Sequence, residues 1–232
     1  MKKKIKLKLL ILLTFLMTFN CIAVARDAVS PKRYELLSGV RKTTKNDTKA
    51  FWDKKYSNTQ YVFGKKPAKF LAKNYEYIKQ GAHVLDMGMG EGRNAVFLAR
   101  KGFKVTGVDI SSVAVKKSRA LAREFGVRIN GIVASLEKYR IADESLDAII
   151  CFYYVDRNLN KKMIKWLRPG GVLIYEAYTD MQRQLKAYQK FDKRYLLRPS
   201  ELLTMFPKMK VLKYEEPLHQ KEFQASIILQ KQ

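Results

Sequence analysis

A short apolar run, Val84-Leu85, passes directly into Asp86-Met87-Gly88-Met89-Gly90-Glu91-Gly92, and a helix-forming segment follows at once. Glycine at every second position lets backbone come close to a ligand that side chains would obstruct, and the following helix offers free N–H donors at its start. From His83 onward the chain alternates between two periods. Val105 to Ile110, Ile129 to Val133, Leu146 to Tyr153 and Val172 to Tyr175 read as buried strands. Between them, Arg93 to Lys101 gathers Ala95, Leu98 and Ala99 on one face and stops at Gly102, while Val113 to Phe125 gathers Ala114, Ser118, Leu121 and Phe125. Asn158 to Leu167 forms a third helix before Pro169-Gly170-Gly171, which reads as a turn. Repetition of strand, helix, strand predicts a doubly wound α/β sheet with crossovers of one hand and ligands outside the carboxyl ends of its strands. A length of 232 residues suits one such domain.

The glycine turn does not fit a dinucleotide fingerprint. Counted from Gly88, the sixth position is Arg93, and the third glycine arrives one place early at Gly92. Asp86 would repel a pyrophosphate, but it can accept from a cationic amino group. Asp109 ends the second strand, where a carboxylate can accept from both hydroxyls of a ribose. An ammonium and a ribose together outline S-adenosylmethionine. The alternative for each aspartate is a turn or cap role.

Two Cys and two His exclude a disulfide scaffold and a four-Cys zinc centre, so no metal is expected at the site. Lys2, Lys3, Lys4, Lys6 and Lys8 precede an apolar stretch from Leu9 to Phe19, and Ala23-Val24-Ala25 offers a small-x-small cleavage site. Residues 1–25 therefore read as a signal peptide or amino-terminal membrane anchor, and an exported or membrane-associated location is expected. Residues 26–49 read as a basic linker broken at Ser30-Pro31 and Lys45-Asn46-Asp47, and residues 50–232 as the folded domain. Without the first 25 residues, 41 basic face 21 acidic side chains, a balance of +20. Such a field suits an anionic membrane surface, nucleic acid or an anionic small molecule, and equally a lysine-rich solubility surface.

Four segments in order carry a family resemblance: Asp86-x-Gly88-x-Gly90-x-Gly92-Arg93-Asn94-Ala95, Val105-Thr106-Gly107-Val108-Asp109-Ile110-Ser111, Cys151-Phe152-Tyr153-Tyr154, and Leu167-Arg168-Pro169-Gly170-Gly171. Together they resemble the motifs of class I S-adenosylmethionine-dependent methyltransferases, nearest the small bacterial tellurite-resistance and thiol methyltransferase branch. The resemblance runs from about Trp52 to the carboxyl terminus. It implies a Rossmann-like, seven-stranded, mostly parallel sheet with an antiparallel last strand near Phe223 to Leu229. Phe51, Trp52, Tyr56, Tyr61, Phe63 and Phe70 read as an amino-terminal helical extension over the pocket mouth, or simply as core.

Carried over by position, Asp86, Gly88 and Gly90 would hold the methionine part, Asp109 the ribose and Ile110 one adenine face. Ser135 and Leu136 fall where the family makes its adenine-edge contact, and Ser135 departs from the acid common there. Cys151 ends the fourth strand near the expected methyl, or is a small buried apolar residue. Methyl transfer from a sulfonium is an in-line displacement, so alignment contributes most, and a base is needed only for a protonated acceptor. His219, Arg157 and Tyr153 are the candidates for catalysis: His219 matches the first member of a His-Arg pair whose arginine is Gln220 here, Arg157 and Arg198 offer charge for an anionic acceptor, and Tyr153, Tyr154, Trp52 and Tyr56 offer aromatic faces to the sulfonium. The expected activity is methyl transfer to a small thiol or chalcogen oxyanion. An RNA methyltransferase and a non-catalytic cofactor-binding module are the alternatives.

Overall fold

A computed structural model describes residues 45–217 and 222–232. The expected leader, most of the expected linker and His219 lie outside the described residues. Two helices come first, α1 (Lys45–Tyr56) and α2 (Lys69–Asn74). Then follow β1 (His83–Met87), α3 (Arg93–Arg100), β2 (Lys104–Asp109), α4 (Ser112–Glu124), β3 (Asn130–Val133), β4 (Leu146–Phe152), α5 (Asn160–Trp166), β5 (Leu167–Tyr178), α6 (Leu202–Met205), β6 (Met209–Glu215) and β7 (Gln224–Lys231).

The strands form one seven-stranded sheet in the order β3-β2-β1-β4-β5-β7-β6. Pairing is parallel from β3 through β5, and β7 runs antiparallel to both β5 and β6. After β1 the chain winds outward to β2 and β3, then returns to place β4 on the other side. The carboxyl ends of β1 and β4 thus diverge into a crevice. Strand residues alternate between two apolar layers. Ile149, Cys151, Leu173 and Tyr175 pack with Met163 and Trp166 of α5 and with Leu202 of α6. Ala148, Ile150, Val172 and Ile174 pack on the opposite face with Phe70 and Leu71 of α2, Ala95 and Leu98 of α3, and Val115 of α4. Burial on both faces explains why the central strands read as continuous apolar runs.

Two expectations shift. Helix α1 starts inside the expected linker, because Asn46 and Asp47, poor inside helices, are common at helix starts. Pro169-Gly170-Gly171 lies within β5: pairing steps from Leu146 with Leu167 to Ala148 with Val172, so Arg168 to Gly171 bulge out opposite Asp147. Gly170, at φ +78°, supplies the conformation that the bulge requires. Strand β6 lacks apolar alternation, being a sheet edge with Lys210, Val211 and Glu215 exposed.

Helix α1 is joined to the sheet by polar contacts. Asp53 accepts from the Ser111 hydroxyl at 2.6 Å and from the Val113 N–H at 3.3 Å, at the amino-terminal end of α4. Lys117 of α4 donates to the carbonyls of Asn58 and Gln60, each at 2.9 Å, and ion-pairs with buried Glu91 of the glycine turn. Glu91 in turn accepts from the Val62 N–H at 2.7 Å. Gly92, at φ +86°, starts α3, and a Cβ there would sit 2.6 Å from the Ser118 Cβ. Gly92→Ala therefore adds left-handed strain to overpacking. It should lower stability by about 2 kcal/mol or more, seen as a lower denaturant midpoint at unchanged slope.

Candidate active site

At the carboxyl ends of the central strands lies a cavity of about 220 Å³. The glycine turn forms its floor. Gly88 and Gly90 take φ +65° and +56°, and both face aromatic rings so closely that a Cβ would stand 3.2 Å from Tyr154 or 2.9 Å from the Tyr56 hydroxyl. The N–H groups of Gly88 and Met89 donate to the Val108 carbonyl at 2.9 and 3.1 Å, which draws the turn onto β2.

Asp109 completes that attachment. Its Oδ2 accepts from the Gly90 N–H at 2.8 Å and its Oδ1 from the Ser111 N–H at 2.9 Å. Burial nevertheless pushes its carboxyl up to about 6. Asp86, at the end of β1, is 2% exposed and lines the same cavity, and its Oδ2 has no hydrogen-bond partner. Burial pushes Asp86 up to about 8, with nearby Arg93 pulling it down and Asp109 adding to the rise. A buried carboxylate oxygen without a donor is costly, and a cation entering the cavity would remove that cost.

Helix α1 and the segment after it supply one wall: Trp52 and Tyr56 stack with ring centres 5.6 Å apart, and Phe63 meets Tyr56 edge-on. Both aromatic groups and the turn they cover are tied together by Glu91 and Lys117. Phe152, Tyr153, Tyr154 and Tyr178 also line the cavity. Among the described lining residues the formal charges are Asp86, Glu91, Asp109 and Glu137 against Arg93. Carboxyl groups thus outnumber cations in the lining, with Glu91 paired to Lys117 and Asp86 pushed up to about 8 by burial.

Of the residues singled out from sequence, Asp86, Gly88, Gly90, Asp109, Ile110, Ser135, Leu136 and Tyr153 meet around this cavity. Arg157 does not. Its guanidinium donates to Glu201 at 2.6 and 2.8 Å and to the carbonyls of Arg194 and Leu196 at 3.0 and 2.9 Å, so its donors hold the chain after β5 rather than a ligand. That pairing raises Arg157 and holds Glu201 low. Arg198 is a neighbour of the same Glu201 at 3.7 Å. Cys151 does not line the cavity either: its thiol donates to the Tyr154 carbonyl at 3.2 Å, and burial pushes it far above the ordinary thiol range. The apolar-residue alternative describes it. His83 faces the Thr106 hydroxyl at 3.0 Å and serves the strand pair. Arg93, Asn94, Glu91, Glu137 and Tyr178 line the cavity without having been singled out. Glu137 had a signal, an acid two places beyond Ser135. Arg93 had one too, as the residue that spoiled the dinucleotide pattern.

The family model described as "Methyltransferase domain" matches residues 84–171. A "Ubiquinone biosynthesis O-methyltransferase" of Rickettsia conorii is 31% identical over 110 residues, covering 45% of this chain and 37% of that protein. The counterpart of Vibrio cholerae is 27% identical over 147 residues, covering 54% and 59%. The chain thus spans less than two thirds of the curated relatives it matches. Among solved structures, TehB from Haemophilus influenzae superposes with a TM-score of 0.58 at 18% identity, covering 79% of this chain and 67% of that one. At such identity the likeness is one of fold.

Asp86 and Asp109 both titrate higher in the folded protein than in the unfolded chain, so the unfolded chain loses its protons first and rising pH favours unfolding. Their contribution is whole below about pH 4 and declines as pH climbs through 6 and then 8. In ligand-free protein, Asp86→Asn should flatten the decline between pH 6 and 8, measured as denaturation midpoints across that range. A wild-type profile that rises there instead contradicts the assignment.

Proposed function

We propose that this chain, which carries a class I methyltransferase domain, transfers the methyl group of S-adenosylmethionine to a small acceptor bearing a hydroxyl or thiol. The observation that carries the reading is the partnerless buried oxygen of Asp86 in the same cavity as Asp109. The residues fit that cofactor: Asp86 would take its ammonium, Arg93, which lines the same cavity, would take its carboxylate, and Asp109 would accept from the ribose. Ile110, Ser135 and Leu136 would border the adenine. When bound, the cofactor supplies an electrophilic methyl on a cationic sulfur.

The protein's own part is alignment and exclusion of water. The glycine turn admits backbone, the Trp52 and Tyr56 wall closes the side toward α1, and aromatic faces suit a sulfonium better than water does. A lining with four carboxyl groups and one guanidinium offers an oxyanion few donors, and the commitment of Arg157 to Glu201 removes one candidate oxyanion partner. The thiol class is therefore retained ahead of chalcogen oxyanions, and the O-methyltransferase names of the relatives support a hydroxyl beside it. Basicity outside the cavity supports a second reading, in which nucleic acid or an anionic membrane surface is met by the exterior. The amino-terminal 25 residues support a membrane-associated or exported location, which sequencing of the mature amino terminus tests.

Calorimetry is the first test. Because Asp86 is pushed up to about 8 without ligand, pairing with an ammonium near pH 7 should release about one proton, visible as heat that varies with buffer ionisation enthalpy. Asp86→Asn should abolish that release, and Asp109→Ala should weaken binding about 100-fold. Labelled cofactor with catechol, 4-nitrothiophenol, selenite and RNA then reads turnover. Binding without transfer to any of them would favour a non-catalytic module.

A further inference from the structure

Glu176 on β5 is 4% exposed and lies outside the cavity lining. Its Oε1 accepts from the Tyr153 hydroxyl at 2.8 Å and its Oε2 from the Ser226 hydroxyl at 2.9 Å. Its backbone carbonyl accepts from the Tyr153 N–H at 2.8 Å. Tyr153 is thus held at both ends by one residue, and it takes φ +59°, a left-handed conformation rare for a bulky side chain. The result is a tyrosine at the cavity wall with its hydroxyl bonded to a carboxylate behind it. If joining β4 to β5 and β7 were the whole task, apolar residues of similar size would do it without burying a charge. Strained backbone and a buried carboxylate, meeting beside a cavity, mark a functional position.

We propose that Tyr153 is the catalytic residue that receives the acceptor's proton, and that Glu176 is the positioning residue that draws a proton onward through the Tyr153 hydroxyl. The proposal rests on the transferase reading above and deepens it, because a relay of this kind serves a neutral hydroxyl that must lose its proton. The acceptor's O–H proton passes to Tyr153 Oη while the proton already there passes to Glu176 Oε1. The freed oxygen lone pair forms the bond to the methyl, and the methyl–sulfur bond breaks with its electron pair remaining on sulfur. Glu176 later returns its proton to water, so one proton and one methylated product leave for each cationic sulfur consumed. A thiol already ionised bypasses the relay.

Four groups face the Glu176 carboxyl: Tyr153 and Ser226 by hydrogen bonds, Arg93 by attraction and Glu222 by repulsion. Burial raises it above the ordinary glutamate range, and the first three oppose that rise. The relay needs the ionised form, so the rate with a neutral acceptor should fall as pH drops through a point above that range.

The test uses the full chain, catechol as neutral acceptor and 4-nitrothiophenol as ionised acceptor. Glu176→Gln and Tyr153→Phe should each lower kcat with catechol about 100-fold, and the double variant little further, because both interrupt one path. The loss with catechol should exceed that with 4-nitrothiophenol by about 30-fold, and the acid limb of the catechol profile should vanish in Glu176→Gln. A readout independent of turnover is nuclear magnetic resonance of carboxyl-labelled glutamate in ligand-free protein. The signal lost in Glu176→Gln should titrate above the usual range, and higher still in Tyr153→Phe, which removes a donor. Equal losses with both acceptors, no loss with catechol, or titration in the ordinary range overturns the relay and leaves the transferase standing. A wild-type protein that methylates neither probe overturns the transferase reading and the relay with it.

Discussion

The hydrogen bond from the Gly90 N–H to the Asp109 carboxylate is the contact on which the site depends. It joins the turn after β1 to the end of β2, nineteen residues away in sequence, and fixes both around one cavity. The turn needs that restraint because glycines in left-handed conformations have more freedom to lose than other residues. Asp86 lies beneath the same turn with an unanswered oxygen, so the geometry that Asp109 imposes also decides what Asp86 can meet. A basic chain thereby gathers carboxyl groups around one cavity.

Covering the turn is a second layer built from the amino-terminal segment. Glu91 belongs to the turn itself, yet it accepts from Val62 and pairs with Lys117, which in turn holds the carbonyls of Asn58 and Gln60. Asp53 adds a fastening at the start of α4. The aromatic wall over the cavity is therefore anchored to the elements that form its floor. Substitutions in these fastenings are expected to disturb ligand binding through the wall's position, although none of them need touch a ligand.

Much of the fold was legible because its signals are local. Apolar runs in the buried strands, the glycines of the first turn and Gly102 after α3 each announce their role within a few residues. The placement of Asp86 and Asp109 beside one cavity was legible for the same reason: each is fixed by its place at a strand end. What escaped reading depends on distant partners. Arg157 looked available until Glu201, 44 residues on, was seen to engage it. Glu176 was invisible because its meaning lies in Tyr153 and Ser226, brought together by β4, β5 and β7. Edge strand β6 lost its alternation to solvent, and the Pro169-Gly170-Gly171 bulge is a matter of register that spacing alone does not reveal.

A crystal structure with S-adenosylhomocysteine bound decides whether Asp86 is the partner of the ligand's ammonium. The ligand's amino nitrogen should stand about 3 Å from Asp86 Oδ2, with the ribose hydroxyls on Asp109 and the glycine turn unmoved. A ligand bound elsewhere, or one in this cavity with Asp86 still lacking a cationic partner, would contradict it.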